Sequence, residues 1–408
     1  MMKVKTLILS ALLVMTGCTN NSLPDEPTPA QPAEEEQPVS DELSFRLTPE
    51  QSAVNASINR STFGLLADCY ATDPGKNMSV SPVSVSICLG MIANSVDDNT
   101  AAAIAESLGY TDLKALNGLC SQLLTYLPAG QHGAELLIAN SVWHDSRLPV
   151  ADTYTKMISE TFKSDVIGAD FEAPATVDLI NSWCADHTKG KIDKIIDEIN
   201  GSIYWINALY FAGMWEVPFD KSLTRKADFT TPDGIREVDM MHLDLQCAYS
   251  HNDIYRSVDL GFKGGNTILR LYLPARGVGI ESLLASIDSD PVIGGNANLH
   301  LDLPRFDVNT FLDMTGILER RGISLQNVWP SKMGLDASAP MRFKHNTTTT
   351  VDEDGATVAA VSFGNWAVDV PDSEAPVDLT LTFDRPFVYT VTNRITGSCI
   401  MAGVVTNP

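Results

Sequence analysis

The alternation of apolar and polar residues predicts helices mainly in the first half of the chain and strands in the second. Residues 49–70 are predicted to be helical, and Val177, Ile180 and Cys184 recur at the spacing of an amphipathic helix that Gly190 would end. Residues 299–303 and 379–383 alternate apolar and polar side chains, as half-buried strands do. This distribution indicates an α+β fold built on large sheets.

Residues 77–90 are predicted to form a short strand that leads into a second helix. Ser81 stands immediately before Pro82 at the expected start of that helix. A serine hydroxyl can accept a hydrogen bond from a free N–H of the first turn, and proline loses nothing at the first helical position.

Residues 347–362 combine a strand, a glycine and a run of small residues. Four threonines and a valine form a β-branched strand, and Gly355 permits backbone angles that other residues avoid. Beyond it, every second residue is small or of modest size, so these residues would share one face of an extended segment. Such a segment could enter a sheet without bulky side chains blocking it. An ordinary strand with a glycine bulge would also explain this stretch if it stood alone.

Composition supports one large globular domain or two smaller ones and excludes one class of partner. The chain has 408 residues, of which 44% are hydrophobic, and a formal net charge of −23. That charge argues against sequence-independent binding of nucleic acid, which needs clustered lysine and arginine. After the N-terminus, no apolar run reaches the roughly 18 residues that a spanning helix requires.

The N-terminal residues are typical of export signals. Lys3 and Lys5 precede an apolar run at residues 7–15, and a small-residue pair then leads to Cys18. This pattern resembles a bacterial lipoprotein signal, with residues 1–17 removed and Cys18 lipidated; a plain secretory signal is the alternative. Residues 18–46 are rich in proline and glutamate and predict an extended, disordered tether. The expected location is therefore the cell envelope, either periplasmic or at the cell surface, with a membrane anchor through the lipid.

No familiar catalytic or metal-binding motif is present. The sequence lacks H-E-x-x-H, G-x-S-x-G, a phosphate-binding loop and a G-x-G-x-x-G fingerprint, and its histidines are scattered. The six cysteines after Cys18 are widely spaced, which argues against a metal knuckle and favours buried, hydrophobic thiols. A disulfide stays possible for an exported protein, but the sequence does not assign one.

Several motifs, in order along nearly the whole body of the chain, resemble those of the serpin family. They are NMSVSPVS at residues 77–84, N-x-W followed by T-x-G-K-I at 181–192, NALYF-x-G-x-W-x-x-PF at 207–219, LPRF at 303–306, the glycine hinge at 353–360, DRPF at 384–387 and GVVTNP at 403–408. Each motif alone is weak, but the ordered set is specific.

The resemblance implies a serpin domain at residues 47–408 with three β-sheets, about eight or nine helices and an exposed reactive-centre loop. It implies an inhibitor of serine, or possibly cysteine, endopeptidases rather than an enzyme, acting as a monomer without a cofactor or metal. The target would cleave the loop and form an acyl-enzyme, and the loop would then insert into the main sheet. The partner would be the target proteinase in a covalent complex.

The resemblance also assigns residues to three regions. The hinge comprises Glu353, Gly355, Ala356, Thr357, Val358, Ala359 and Ala360. The shutter, a polar group beneath the sheet, comprises Ser81, Asn207 and His345. The breach, where insertion would begin, comprises Trp215, Arg305 and Glu353.

The reactive bond is expected between Asp369 and Val370, by the family's usual distance from Glu353. An acidic residue before the cut would suit proteinases with a basic specificity pocket. Counting back from Phe383 instead places the cut near Ala375. Elastase-like or chymotrypsin-like targets could alternatively use Val368 or Trp366.

Two other functions stay open from the sequence. One is a serpin fold that serves as a non-inhibitory binding module, for which an insertion-blocking hinge would be the sign. The other is an envelope lipoprotein that binds a solute or hydrolyses a substrate, supported only by the signal and tether.

Overall fold

The computed structural model describes residues 45–107, 112–129, 134–287, 295–326, 328–356 and 376–408. The predicted signal peptide, the lipidated Cys18 and the tether up to residue 44 lie outside these ranges and stay predictions. No helix in the described ranges is long and apolar enough to span a membrane.

The described residues contain eight α-helices and fifteen strands, together with two short 3₁₀ helices. The helices are α1 (Pro49–Tyr70), α2 (Pro82–Ala93), α3 (Asp98–Ser107), α4 (Leu113–Ala129), α5 (Asp152–Phe162), α6 (Ala175–His187), α7 (Ile280–Ser286) and α8 (Met314–Arg320). The strands are β1 (Met78–Val80), β2 (Ala134–Asp145), β3 (Asp165–Ala169), β4 (Ile203–Met214), β5 (Arg225–Thr231), β6 (Gly234–His251), β7 (Tyr255–Gly261), β8 (Thr267–Pro274), β9 (Gly295–Pro304), β10 (Phe306–Asp313), β11 (Met341–Val351), β12 (Gly355–Ala356), β13 (Val377–Thr382), β14 (Phe387–Asn393) and β15 (Ser398–Val405).

Local signals set the start of the first two helices. Thr48 caps α1 by accepting a hydrogen bond from the Gln51 N–H, while the Gln51 side chain reaches back to the Thr48 N–H. Ser81 caps α2 in the predicted way, because its hydroxyl accepts from the Ser84 N–H and Pro82 follows it. Every residue of α2 is buried, so this helix lies within the core.

Strands form two hydrogen-bonded networks. The first is a six-stranded sheet in the order β10, β11, β4, β2 and β3, with β12 added on β4. The second has nine strands, in the order β1, β15, β14, β8, β7, β6, β9 and β13, with β5 also paired to β6. Its long strand β6 pairs with β7 only at residues 249–251 and with β9 along residues 240–249. The nine-stranded network therefore consists of two sheets that share β6. Together with the six-stranded sheet they make three, and the predicted three-sheet fold is confirmed.

The six-stranded sheet is covered on both faces, which positions the site described next. α2 contacts both β4 and β15 on one side. On the other side, Ile180 and Cys184 of α6 belong to an apolar cluster with Trp143 of β2 and Tyr204 of β4. Polar side chains on the central strands of this sheet therefore need partners inside the protein.

Candidate functional site

Strands β4 and β11 pair in parallel along only part of their length. Their common register ends at Tyr210 opposite Thr348. Beyond that point β4 continues, and β12 pairs antiparallel with its residues Gly213 and Met214. The chain thus leaves β11, turns round and starts back along β4 as an additional strand. Extending β12 further along β4 would require β4 and β11 to separate.

Gly355 is the residue on which this reversal depends. Its φ of 143° lies in the region that favours glycine. A Cβ there would lie 2.1 Å from the Gly213 carbonyl oxygen and 2.6 Å from the Met214 Cα. Any side chain would therefore push β12 away from β4. The hinge residues Thr357, Val358, Ala359 and Ala360 lie outside the described ranges, as do Asp369 and Val370.

Trp215 holds the turn between β11 and β12 in place. Its indole Nε1–H donates to the Asp352 carbonyl at 2.8 Å, and its backbone N–H donates to the Asp354 carbonyl at 3.2 Å. The indole is stacked on Phe262, with ring centroids 4.7 Å apart and an interplanar angle of 12°. Because the ring is fixed by packing, these two hydrogen bonds anchor the turn to the end of β4.

Glu353 is the buried charge at the same turn. Its side chain is 2% exposed and accepts from Arg305 Nη2 at 2.7 Å, from Arg305 Nε at 2.9 Å and from the Thr224 hydroxyl at 2.5 Å. Burial raises the pKa of this carboxyl, but the hydrogen bonds from Arg305 and Thr224 outweigh that effect and lower the pKa below its ordinary value. Arg305 and Glu353 therefore form more than the surface ion pair that their residue types alone would suggest.

Replacing Arg305 by alanine is expected to lower the free energy of unfolding by about 2 kcal/mol, because Glu353 would lose charge-assisted hydrogen bonds while staying buried. Lys226→Ala is the matched control, since Lys226 and Asp239 form an ion pair with side chains 58% and 41% exposed and should lose less than about 1 kcal/mol. Thermal unfolding of the two variants, with the parent protein as reference, gives the comparison. Equal losses would contradict this role for Arg305.

Three polar residues lie side by side on adjacent strands at the shutter. Asn140 of β2 is opposite Asn207 of β4, and Asn207 is opposite His345 of β11. His345 Nδ1 lies 3.1 Å from Asn207 Oδ1, and Asn207 Nδ2 donates to Asn140 Oδ1 at 2.8 Å. This hydrogen-bonded row crosses the boundary between β4 and β11, so separating those strands would break it.

Ser81 joins this row through its backbone rather than its hydroxyl. The Ser81 N–H donates to His345 Nε2 at 3.1 Å, while its hydroxyl caps α2. An accepting Nε2 places the single imidazole proton on Nδ1, which then donates to Asn207. Burial lowers the pKa of His345 to about 3, and the bond to Asn207 opposes that shift only in part. The shutter is therefore built around a neutral histidine.

The sequence motifs missed two parts of this network. Asn140 was not singled out, although it completes the row on β2. Two residues along β11 from His345, the Thr347 hydroxyl lies 2.6 Å from the Ser79 hydroxyl, which lies 3.2 Å from the Thr310 hydroxyl. Both sets depend on strand register, which a single sequence does not display. The available signal was the polar Asn140 directly after the apolar run at residues 136–139 of β2.

Among the residues that the structure describes, no group of three or more histidine, cysteine or acidic side chains has the geometry to hold a metal ion. The six described cysteines are free and buried, in agreement with the prediction that they pack as small hydrophobic residues.

Comparisons with known proteins agree with the sequence motifs. The family model described as serpin (serine protease inhibitor) matches residues 56–408. Iripin-2 from Ixodes ricinus is 27% identical over 380 residues, covering 87% of this chain and 94% of the relative.

Solved structures show the same fold. The thermophilic serpin tengpin in its native state superimposes with a TM-score of 0.77 at 23% identity, covering 90% of this chain and 96% of its own. Human thyroxine-binding globulin complexed with its hormone gives a TM-score of 0.78 at 23% identity, covering 88% and 99%. The residues that the family model matches include the hinge, the breach and the shutter. The chain therefore belongs to the serpin family.

Proposed function

We propose that this serpin inhibits serine endopeptidases, and possibly cysteine endopeptidases, as a suicide substrate. Members of the family are generally protease inhibitors rather than enzymes, although some, such as thyroxine-binding globulin, are not inhibitory. The observation that carries the proposal is β12, which already lies antiparallel on the end of β4. Its two residues are the start of the strand that insertion would complete.

In the proposed mechanism, the nucleophile of the target attacks a carbonyl carbon of the loop. The peptide bond breaks, its nitrogen leaves with a proton as a new amino terminus, and the preceding carbonyl stays esterified to the target. The freed segment then extends β12 between β4 and β11. One parallel strand pair is replaced by two antiparallel ones, which adds backbone hydrogen bonds and makes insertion favourable.

The breach and the shutter have separate tasks in this mechanism. Trp215 and Arg305 hold the turn at Asp352 and Glu353 while the loop is intact. The shutter row must open before β4 and β11 can part, and its buried polar atoms must then find new partners. Both features oppose insertion in the uncleaved protein.

Incubation with a panel of serine and cysteine proteinases is expected to yield a covalent complex that survives boiling in detergent. Serpin cleaved at the loop should also unfold at a higher temperature than the intact protein, because it has gained a strand. Cleavage of all the protein without any complex would contradict inhibition and would indicate a non-inhibitory binding module.

The proposed reactive bond, Asp369–Val370, lies outside the described residues and rests on the sequence alone. The expected C-terminal fragment after cleavage by the target therefore begins at Val370, and intact-mass spectrometry of the released fragment would measure this. A fragment that begins near residue 376 would instead support the alternative count from Phe383.

A further inference from the structure

The hinge turn contains a dipeptide that is prone to a spontaneous rearrangement of the main chain. This dipeptide is Asp354-Gly355, in which the glycine nitrogen is not shielded by a side chain and can attack the carboxyl carbon of the preceding aspartate. The only other Asp-Gly pair of the sequence, Asp233-Gly234, lies exposed at the turn between β5 and β6. Two sites of the same chemistry can therefore be compared within one molecule.

The reaction is a cyclisation followed by hydrolysis, and it needs no oxidant or reductant. The Gly355 nitrogen forms a bond to Cγ of Asp354, and the carboxyl hydroxyl leaves as water with the proton of that nitrogen. Water then opens the cyclic imide. Opening at Cγ regenerates aspartate, whereas opening at the main-chain carbonyl gives isoaspartate, whose main chain passes through Cβ and Cγ and is longer by one atom.

A carboxylate binds the nitrogen that would attack. Asp352 Oδ1 accepts from the Gly355 N–H at 3.2 Å and from the Asp354 N–H at 2.9 Å. The imide nitrogen carries no hydrogen, so cyclisation would remove the first of these bonds. A hydrogen bond to an ionised acceptor is stronger than one between neutral groups. The closed turn therefore disfavours the imide.

Lys221 binds the carboxylate that would be attacked. Its Nζ donates to Asp354 Oδ2, and the two side chains are 62% and 40% exposed. The imide keeps only an uncharged oxygen at Cγ, so this ion pair would be lost as well. Because the pair is exposed, its contribution is smaller than that of Asp352. Asp233 lacks such protection, since its carboxylate has no hydrogen-bond or ion-pair partner in the described part of the chain.

We propose that Asp354 is a site of isomerisation to isoaspartate and that Asp352 and Lys221 protect the intact hinge against it. The consequence for inhibition rests on the proposed function. In isoaspartate the main-chain carbonyl of residue 354, which accepts from the Trp215 N–H at 3.2 Å, becomes a free carboxylate outside the main chain. The longer main chain would then displace β12 from its register on β4. An isomerised molecule should therefore be cleaved as a substrate rather than form a complex.

Incubation of the intact, uncleaved chain near neutral pH, in the folded state and in denaturant, tests this proposal. Aspartate and isoaspartate have the same mass, and electron-transfer fragmentation of the peptides distinguishes them at residues 233 and 354. In denaturant we expect similar rates at both sites. In the folded protein we expect the rate at residue 354 to be at least about tenfold lower than at residue 233, through the bonds that the imide would lose. A ratio of the two rates that is the same in both states, or no isoaspartate at residue 354 even in denaturant, would overturn it.

Three variants assign the protection to its residues. In the folded protein, Asp352→Ala should raise the rate at residue 354 at least about fivefold and Lys221→Ala about two- to fivefold. Lys226→Ala is the matched control, because Lys226 is 58% exposed and pairs with Asp239 rather than with the hinge. Unchanged rates at residue 354 in the first two variants would contradict the protective role.

The comparison of the folded and denatured states uses the unmodified chain and decides the question even if a variant does not fold. Because no proteinase is present, the result is independent of whether the serpin is inhibitory.

Discussion

Gly355→Ala is expected to convert most of the protein from an inhibitor into a substrate of its target proteinase. The new Cβ would collide with the Gly213 carbonyl oxygen and would occupy a backbone conformation with φ of 143°. Strain of this kind costs about 1–3 kcal/mol. If about 2 kcal/mol of it persists when the loop starts to enter the sheet, insertion slows about 30-fold. The acyl-enzyme would then hydrolyse first, and the yield of covalent complex would fall.

The matched control for this substitution is Gly277→Ala. Gly277 also has a positive φ, of 85°, but nothing lies within 4 Å of the position of its Cβ. This variant carries the backbone strain without the collision and lies between β8 and α7, away from the hinge. Gel densitometry of the complex and of the cleaved serpin, at equal proteinase, measures the partition. If both variants trap the proteinase as well as the parent protein does, β12 is not the starting point of insertion.

Local signals made parts of the fold predictable. The predicted helix 49–70 has the bounds of α1 because Thr48, Pro49 and Gln51 specify its start within four residues. The helix predicted to end at Gly190 ends at His187, because the chain turns left-handed at Lys189 and the Gly190 N–H bonds back to the Ala185 carbonyl at 2.7 Å. The glycine still has its expected role, with a φ of 73° just beyond the helix.

Features that depend on distant pairing were not predictable from one sequence. Glu353 stands between two aspartates, a pattern typical of an exposed turn, yet it is buried and accepts hydrogen bonds from Arg305 and Thr224. Asn140 gains its place in the shutter only through the register of β2 on β4. The family motifs indicated which residues to examine, but distances, burial and the donor at each bond come from the structure.

The shutter and the breach each contain a buried titratable side chain, but one is neutral and the other is charged. At the breach a charged carboxylate, Glu353, is kept ionised by Arg305, and its pKa is lowered. At the shutter His345 is kept neutral, and burial lowers its pKa. Acidification therefore destabilises both arrangements, but in different pH ranges. Protonation of Glu353 matters only below its ordinary pKa of 4.5, whereas His345 responds as soon as the unfolded chain binds protons near pH 6.5.

Stability is accordingly expected to fall on mild acidification, and His345 is the main reason. Its pKa is about 3 in the folded protein and about 6.5 in the unfolded chain. Above pH 6.5 both states are neutral and the contribution is complete; as the pH falls toward 3, only the unfolded chain gains a proton. Between pH 7 and pH 5 the free energy of unfolding should decrease by about 2 kcal/mol from this group.

His345→Gln should remove this dependence of the free energy of unfolding on pH, because glutamine does not titrate. The variant should also be less stable at every pH, because it loses the hydrogen bond to the Ser81 N–H. His251→Gln, at an exposed position on β6, should keep the full dependence. Thermal unfolding at several values between pH 7 and pH 5 compares the three proteins above the range in which Glu353 titrates. A protonated imidazole has no free acceptor for the Ser81 N–H, which is one reason why His345 stays neutral in the folded protein over this range. If His345→Gln loses stability over this range as steeply as the parent protein, the neutral histidine is not what holds the shutter closed.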